Sequence, residues 1–232
     1  MPKALGKDDE NQPKWLIEKA SILTSRSRTI FFFCGSTSSQ EQAILRISLG
    51  GDEYHVPLGH LFPASAKRDD SVVIANNFGF RFVMPNVRPL SANEMRTSNN
   101  VSFENDDEYL VDVTLFPGDR SLFTSRRIQL NFGPDFDFSS KKFNNHLGLF
   151  QKNLHISPNA EYGGFLLQVY TDSSRNKFLE CSPEIFNSPS CILRSLSKTQ
   201  ISSFIISFPT SELENWKSIL DAADSLSAKW KR

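Results

Sequence analysis

Glu180 to Leu196 reads ECSPEIFNSPSCILRSL, and Ile201 to Phe208 reads ISSFIISF. Cys181 and Cys191 bracket a Pro- and Ser-rich stretch, Ser182 to Ser190. Lys177 to Cys181 and Cys191 to Leu196 are strand-like on either side of it, and the β-branched run at 201–208 adds a further strand. A hairpin-like excursion through Pro183 and Pro189 would bring the two cysteine Cα atoms within the ~7 Å that a disulfide requires. The C-x9-C spacing is too long for a redox C-x-x-C. No histidine or further cysteine lies near enough to complete a tetrahedral zinc set. Two readings stay open: a disulfide in an oxidising compartment, or two buried free thiols in a cytoplasmic protein. The disulfide is the expectation carried forward. In the chain-entropy model, closing a loop of this length is worth on the order of 3 kcal/mol.

An amphipathic helix should follow. Ser211 and Glu214 have the spacing of a capping box. Leu213, Trp216, Ile219, Leu220, Ala223 and Leu226 recur at helical intervals. Lys229, Lys231 and Arg232 would complement the negative end of the helix dipole.

Working back towards the start, Tyr109 to Phe116 and Leu122 to Phe132 read as strands around the turn Pro117-Gly118-Asp119. Phe78, Phe80, Phe82 and Met84 alternate with Gly79, Arg81 and Val83, the period of a half-buried strand that Pro85 and Pro89 would end. Ser91 and Glu94 form a second capping-box pair. Ala43 to Leu49 and Asp52 to Pro57 are joined by Gly50-Gly51, a hairpin signal. Val72 to Ala75 is a short apolar run, Thr29 to Cys34 reads as a strand, and Pro13 to Leu23 as an amphipathic helix. Gly163-Gly164 would serve a bulge or bend. The expected class is α+β: mostly antiparallel β-sheet with an N-terminal and a C-terminal amphipathic helix. Residues 1–12 would be a flexible terminus and 13–232 a single domain, with two β-rich halves meeting near 133–152 as the alternative.

Composition narrows the function. The chain of 232 residues can bury roughly 70% or more of its unfolded surface, so it can build a core without staples. It carries 20 Phe against three Trp and four Tyr, and Phe belongs in a core or a contact surface. Lys+Arg and Asp+Glu are both 26, which argues against nucleic-acid binding and against a polybasic membrane anchor. No apolar run approaches the ~20 residues a bilayer-spanning helix needs. The polar start from Met1 has no secretory pattern. An exported protein would therefore be a mature form without its export signal. Phe31-Phe32-Phe33-Cys34 places a cysteine as a lipoprotein cleavage site would, but after large residues. Cys34 is read as a buried thiol, with lipid attachment as the alternative.

No catalytic pattern stands out. The sequence has no G-x-S-x-G elbow, no S-x-x-K with its companion motifs, no P-loop and no G-x-G-x-x-G. His55, His60, His146 and His155 form no metal-binding spacing. Asp135 and Asp137 alternate with Phe136 and Phe138 as a strand edge does, with no calcium loop after them. No cofactor or metal is expected. Asp106-Asp107-Glu108 is either a solvated loop or an electrostatic contact for a basic protein partner.

The segments Gly51-Asp52-Glu53-Tyr54-His55-Val56-Pro57, Phe78 to Pro85 and Val87-Arg88-Pro89-Leu90, with Glu180-Cys181, Ser190-Cys191 and Leu213-Glu214-Asn215-Trp216 at the end, carry a resemblance. The layout resembles periplasmic immunity proteins of bacterial secretion-system toxin–immunity pairs. That resemblance implies a periplasmic, non-enzymatic module that occludes a cognate toxin; the acidic run Asp106, Asp107 and Glu108, read from its charge, is the candidate contact. The alternatives are a structural or assembly component of an envelope machine, a hydrolase built around His55 or His60, and a cytoplasmic location.

Overall fold

The computed structural model describes residues 43–61, 72–91, 93–94, 103, 105–118, 141–156, 165–174, 176–182, 189–199 and 202–232. The expected helix at Pro13 to Leu23, the strands at Thr29 to Cys34 and Leu122 to Phe132, the pair Asp135 and Asp137, and Gly163-Gly164 lie outside these residues.

Gly50 and Gly51 take positive φ, +61° and +93°, and turn β1 (Ile44–Leu49) into β2 (Asp52–Pro57). The register is antiparallel, with Leu45 opposite Val56 and Ile47 opposite Tyr54. β3 (Val73–Ala75) adds to β1 in parallel and completes a three-stranded sheet of order β2-β1-β3. The buried residues of the hairpin alternate strictly: Leu45, Ile47 and Leu49 face the core, while Ile44, Arg46 and Ser48 face away.

A second sheet holds eight strands, all antiparallel. They are β4 (Phe78–Met84), β5 (Tyr109–Pro117), β6 (Lys142–Asn144), β7 (Leu149–Ile156), β8 (Phe165–Thr171), β9 (Lys177–Cys181), β10 (Ser190–Leu196) and β11 (Ser202–Pro209). Their order is β4-β5-β11-β10-β9-β8-β7-β6. One row of core side chains crosses the middle of this sheet in register: Phe80, Val113, Ile206, Leu193, Leu179 and Tyr170. All six are at most 2% exposed. Such rows are the unit by which neighbouring strands stabilise one another.

β4 departs from expectation. Its alternation predicts a half-buried strand, yet Arg81 and Val83 are buried as well as Phe80 and Phe82. Arg81 meets Asp112 on β5 (3.2 Å), and Val83 exchanges two backbone hydrogen bonds with Arg88 across the turn at 84–87.

α1 (Trp216–Trp230) covers the core face. Trp216, Ile219, Ala223 and Trp230 are buried at helical spacing, and each large apolar side chain so buried contributes about 1.5–3 kcal/mol. At its N-terminal end the Trp216 indole donates to the carbonyl of Leu147 in the β6–β7 turn (3.2 Å). At its C-terminal end the Trp230 ring meets Phe80 edge-on, with centroids 5.0 Å apart. The expected cap at Ser211 does not form. Thr210–Asn215 is a 3-10 turn instead, and the α-helix begins at Trp216 without a side-chain cap. Glu214 pairs instead with His146 of the β6–β7 turn (2.9 Å). The Ser91–Glu94 box does form, with reciprocal bonds of 2.6 and 3.3 Å.

The chain thus shows mostly antiparallel β-sheet with a C-terminal helix. No helix among the described residues is long and apolar enough to cross a membrane.

Candidate functional site

Cys181 on β9 stands directly opposite Cys191 on β10. The pair is one of the closely spaced, non-hydrogen-bonded positions of an antiparallel ladder, with the Cα atoms 4.0 Å apart. The two sulfurs are joined in a disulfide, and both residues are at most 1% exposed. Ser182 and Ser190 frame it: Ser182 N–H donates to the Ser190 carbonyl (2.9 Å), and Ser190 N–H to the Ser182 hydroxyl (2.8 Å). The bridge therefore ties adjacent core strands. Cys34 lies outside the described residues.

The acidic run splits. Asp106 and Asp107 are exposed, but the Glu108 side chain is only 5% exposed. It turns inward to Arg88, whose Nε and Nη2 donate to its two oxygens (3.0 and 2.8 Å). The same guanidinium grips Glu94 through Nη1 and Nη2 (2.9 and 2.8 Å). Arg88 lowers the pKa of both carboxyls, and that of Glu94 falls to about 2. Here a surface motif has become a structural clamp. It fixes the turn in which Val87 holds a left-handed φ of +52°, a conformation costly for a β-branched residue.

The outward face of the small sheet carries a different cluster. Register places Ile44, Arg46 and Ser48 of β1 beside Pro57, His55 and Glu53 of β2, and Ile74 of β3 beside Ser48. Glu53 Oε1 accepts from Arg46 Nε (2.9 Å) and from His55 Nε2 (2.7 Å). These two bonds, Arg46 first, push the Glu53 carboxyl down to about 2. Ile44 and Ile74 flank the charges with 56% and 88% of their surface exposed. Arginine is among the residues enriched in protein-binding hot spots. Sequence reading missed this face, because a three-residue strand is too short for its alternation to be legible.

The histidines are dispersed. His55 lies on that outward face, and His146 is an exposed partner of Glu214. His60 is buried, with Nδ1 donating to the Arg81 carbonyl (2.9 Å). Neither His55 nor His60 touches a serine hydroxyl among the described residues. His155 falls in β7. No group of three or more potential metal ligands occurs among the described residues.

The chain shares its fold with an immunity protein. It superposes on Smlt3025, an immunity protein of the Stenotrophomonas maltophilia type IV secretion system, with a TM-score of 0.58 and 12% identity. The match covers 85% of this chain and 98% of that one. The Neisseria meningitidis iron-regulated outer membrane lipoprotein FrpD aligns over 83% of this chain and 94% of its own, at a TM-score of 0.47 and 11% identity. No family model and no curated protein matches the sequence. The likeness to immunity proteins read from the residues thus recurs as a shared fold.

Proposed function

We propose that this chain is a non-enzymatic protein-binding module, an immunity-type inhibitor that occludes a cognate bacterial toxin in the periplasm. The observation that carries the reading is the fold held in common with Smlt3025 over 98% of that protein's length. The disulfide supports an oxidising compartment, because cytosolic thiols are kept reduced. Occlusion needs an exposed surface with an anchor. The outward face of the small sheet supplies Arg46 between Ile44 and Ile74, and Asp106 and Asp107 offer a separate acidic contact. Glu108, held by Arg88, would act by positioning that loop.

Co-expression with the product of an adjacent gene tests this. The product should be toxic alone, should be neutralised by this chain, and should co-purify with it. Ile74→Asp together with Arg46→Glu should abolish neutralisation while leaving the circular dichroism spectrum unchanged. A neighbour that is neither toxic nor bound would end the proposal. A second reading, an assembly component of an envelope machine, draws support from β3, a short strand at the end of its sheet with Ile74 outermost. Self-association of the purified chain at micromolar concentration would favour it.

A further inference from the structure

We propose that His60 is an acid-operated latch: protonation of its buried ring frees the C-terminal end of α1, with Lys231 and Arg232, from β2. The latch works whatever partner the protein binds.

The ring's surroundings fix its protonation state. His60 is 6% exposed and sits at the end of a 3-10 turn, Leu58–His60. A backbone carbonyl can only accept a hydrogen bond, so the 2.9 Å contact with Arg81 O places the ring proton on Nδ1. A second proton from solvent must therefore bind Nε2, creating a cation in a desolvated site. Two groups favour that cation: the Arg81 carbonyl and the Trp230 ring, whose centroid is 5.0 Å away. Two effects oppose it: burial itself, and the Lys229 ammonium on α1. Burial is the largest of these and holds the ring's pKa below its ordinary value. The strain of charging the ring is relieved when it reaches water.

Which partner gives way follows from how each is tied. β4 is laddered to β5 along its whole length. The turn carrying His60 is pinned by Leu58 N–H to Ala43 O (2.8 Å), Leu90 N–H to Gly59 O (3.2 Å), and the pairing of Leu61 with Phe80. The end of α1 is held by Arg232 N–H to Glu53 O (2.9 Å), the pairing of Lys231 with Tyr54, and the Lys231–Asp52 ion pair (2.7 Å). It can fray without breaking a strand ladder, so it is the part that lets go.

The other charges around this seam leave the assignment readable. The Arg81 side chain faces Asp112, on the opposite side of the sheet from Phe80. Glu53, with its pKa at about 2, stays ionised through mild acid. His55 lies on the outward face of β2 and is the histidine to control for.

NMR on the full chain from pH 8 to pH 5 tests the latch. The His60 ring should titrate below the ordinary histidine value of about 6.5. The Trp230 indole and the Arg232 amide should shift with the same midpoint. Between the ordinary histidine value of about 6.5 and that midpoint the exchange protection of Arg232 should fall by up to about tenfold per pH unit, and then level off. His60→Gln should make Trp230 and Arg232 insensitive to pH, and His55→Gln should leave their response intact. The latch is overturned if His60 titrates while both reporters stay put, or if the reporters still move in His60→Gln. Should that variant fail to fold, the midpoints in the unmodified chain decide: coincidence supports the latch and separation overturns it.

Discussion

Replacing both Cys181 and Cys191 with alanine removes a cross-link whose effect can be calculated from the chain. The two residues are 10 apart in sequence, so the closed loop is short. The chain-entropy relation gives about 3 kcal/mol at 25 °C for a loop of about ten residues. For a domain of this size that corresponds to a fall in Tm of roughly 6–12 °C. The folded ladder itself should survive, because the Ser182–Ser190 bonds and the flanking pairs of β9 and β10 do not involve sulfur. Urea unfolding followed by circular dichroism should show a lower midpoint. The slope should rise as well, because an unfolded chain without the bridge exposes more surface. A thiol titration of the unfolded, unmodified protein complements the unfolding curve. With three cysteines in all, it should find one free thiol without reductant and three with it. A midpoint within error of the unmodified protein, or three thiols without reductant, would refute the argument and with it the support for an oxidising compartment.

Two further outcomes test the local reasoning. Arg88→Met should lower the midpoint of chemical denaturation, because Glu94 and Glu108 lose the cation their side chains, 13% and 5% exposed, share. The pKa of Glu94 is depressed in the folded state, so its contribution is complete above the unfolded value of about 4.5 and disappears as pH falls towards 2. An acid titration of stability should accordingly be steeper in the unmodified protein than in Arg88→Met. Gly50→Ala should destabilise more than Gly51→Ala, by about 1 kcal/mol or more. Both positions have positive φ, but only at Gly50 would the new Cβ meet Pro117 Cβ, at 2.6 Å. Thermal melts of the two variants measured side by side would check this.

What was legible in the sequence was local. Gly50-Gly51 between two alternating runs fixes the β1–β2 hairpin, and the period-two pattern from Phe78 to Met84 places β4. The Trp216, Ile219 and Ala223 spacing identifies α1 whatever its first residue. The long-range choices left no such mark. Nothing near Tyr109 to Phe116 says that β5 will pair with β11, because strand partners far apart in sequence are selected by whole-core packing. The false helix start at Ser211 shows the same limit. A capping pattern is a local offer, and in the folded chain Ser211 lies in a 3-10 turn while Glu214 pairs with His146 of the β6–β7 turn. Glu108 was grouped with its acidic neighbours because the matching Arg88 lies 20 positions upstream. The placement of Arg46 between two exposed isoleucines needs the register of three strands before it becomes visible as one surface.

The strand order bears on how the chain reaches this state. Among the described strands of the large sheet, every adjacent pair is consecutive in sequence except one, β5 with β11. From β6 to β11 the chain zigzags back and forth, so each hairpin can zip on its neighbour with a small loop-closure penalty. The seam between β5 and β11 instead joins segments about 90 residues apart and waits for that zigzag to assemble. Closing that seam therefore carries the largest loop-closure cost among the strand pairs of the large sheet. Cys181 and Cys191 join two strands that are neighbours in the chain, so the covalent tie reinforces a short-range pairing and leaves the β5–β11 seam to packing alone.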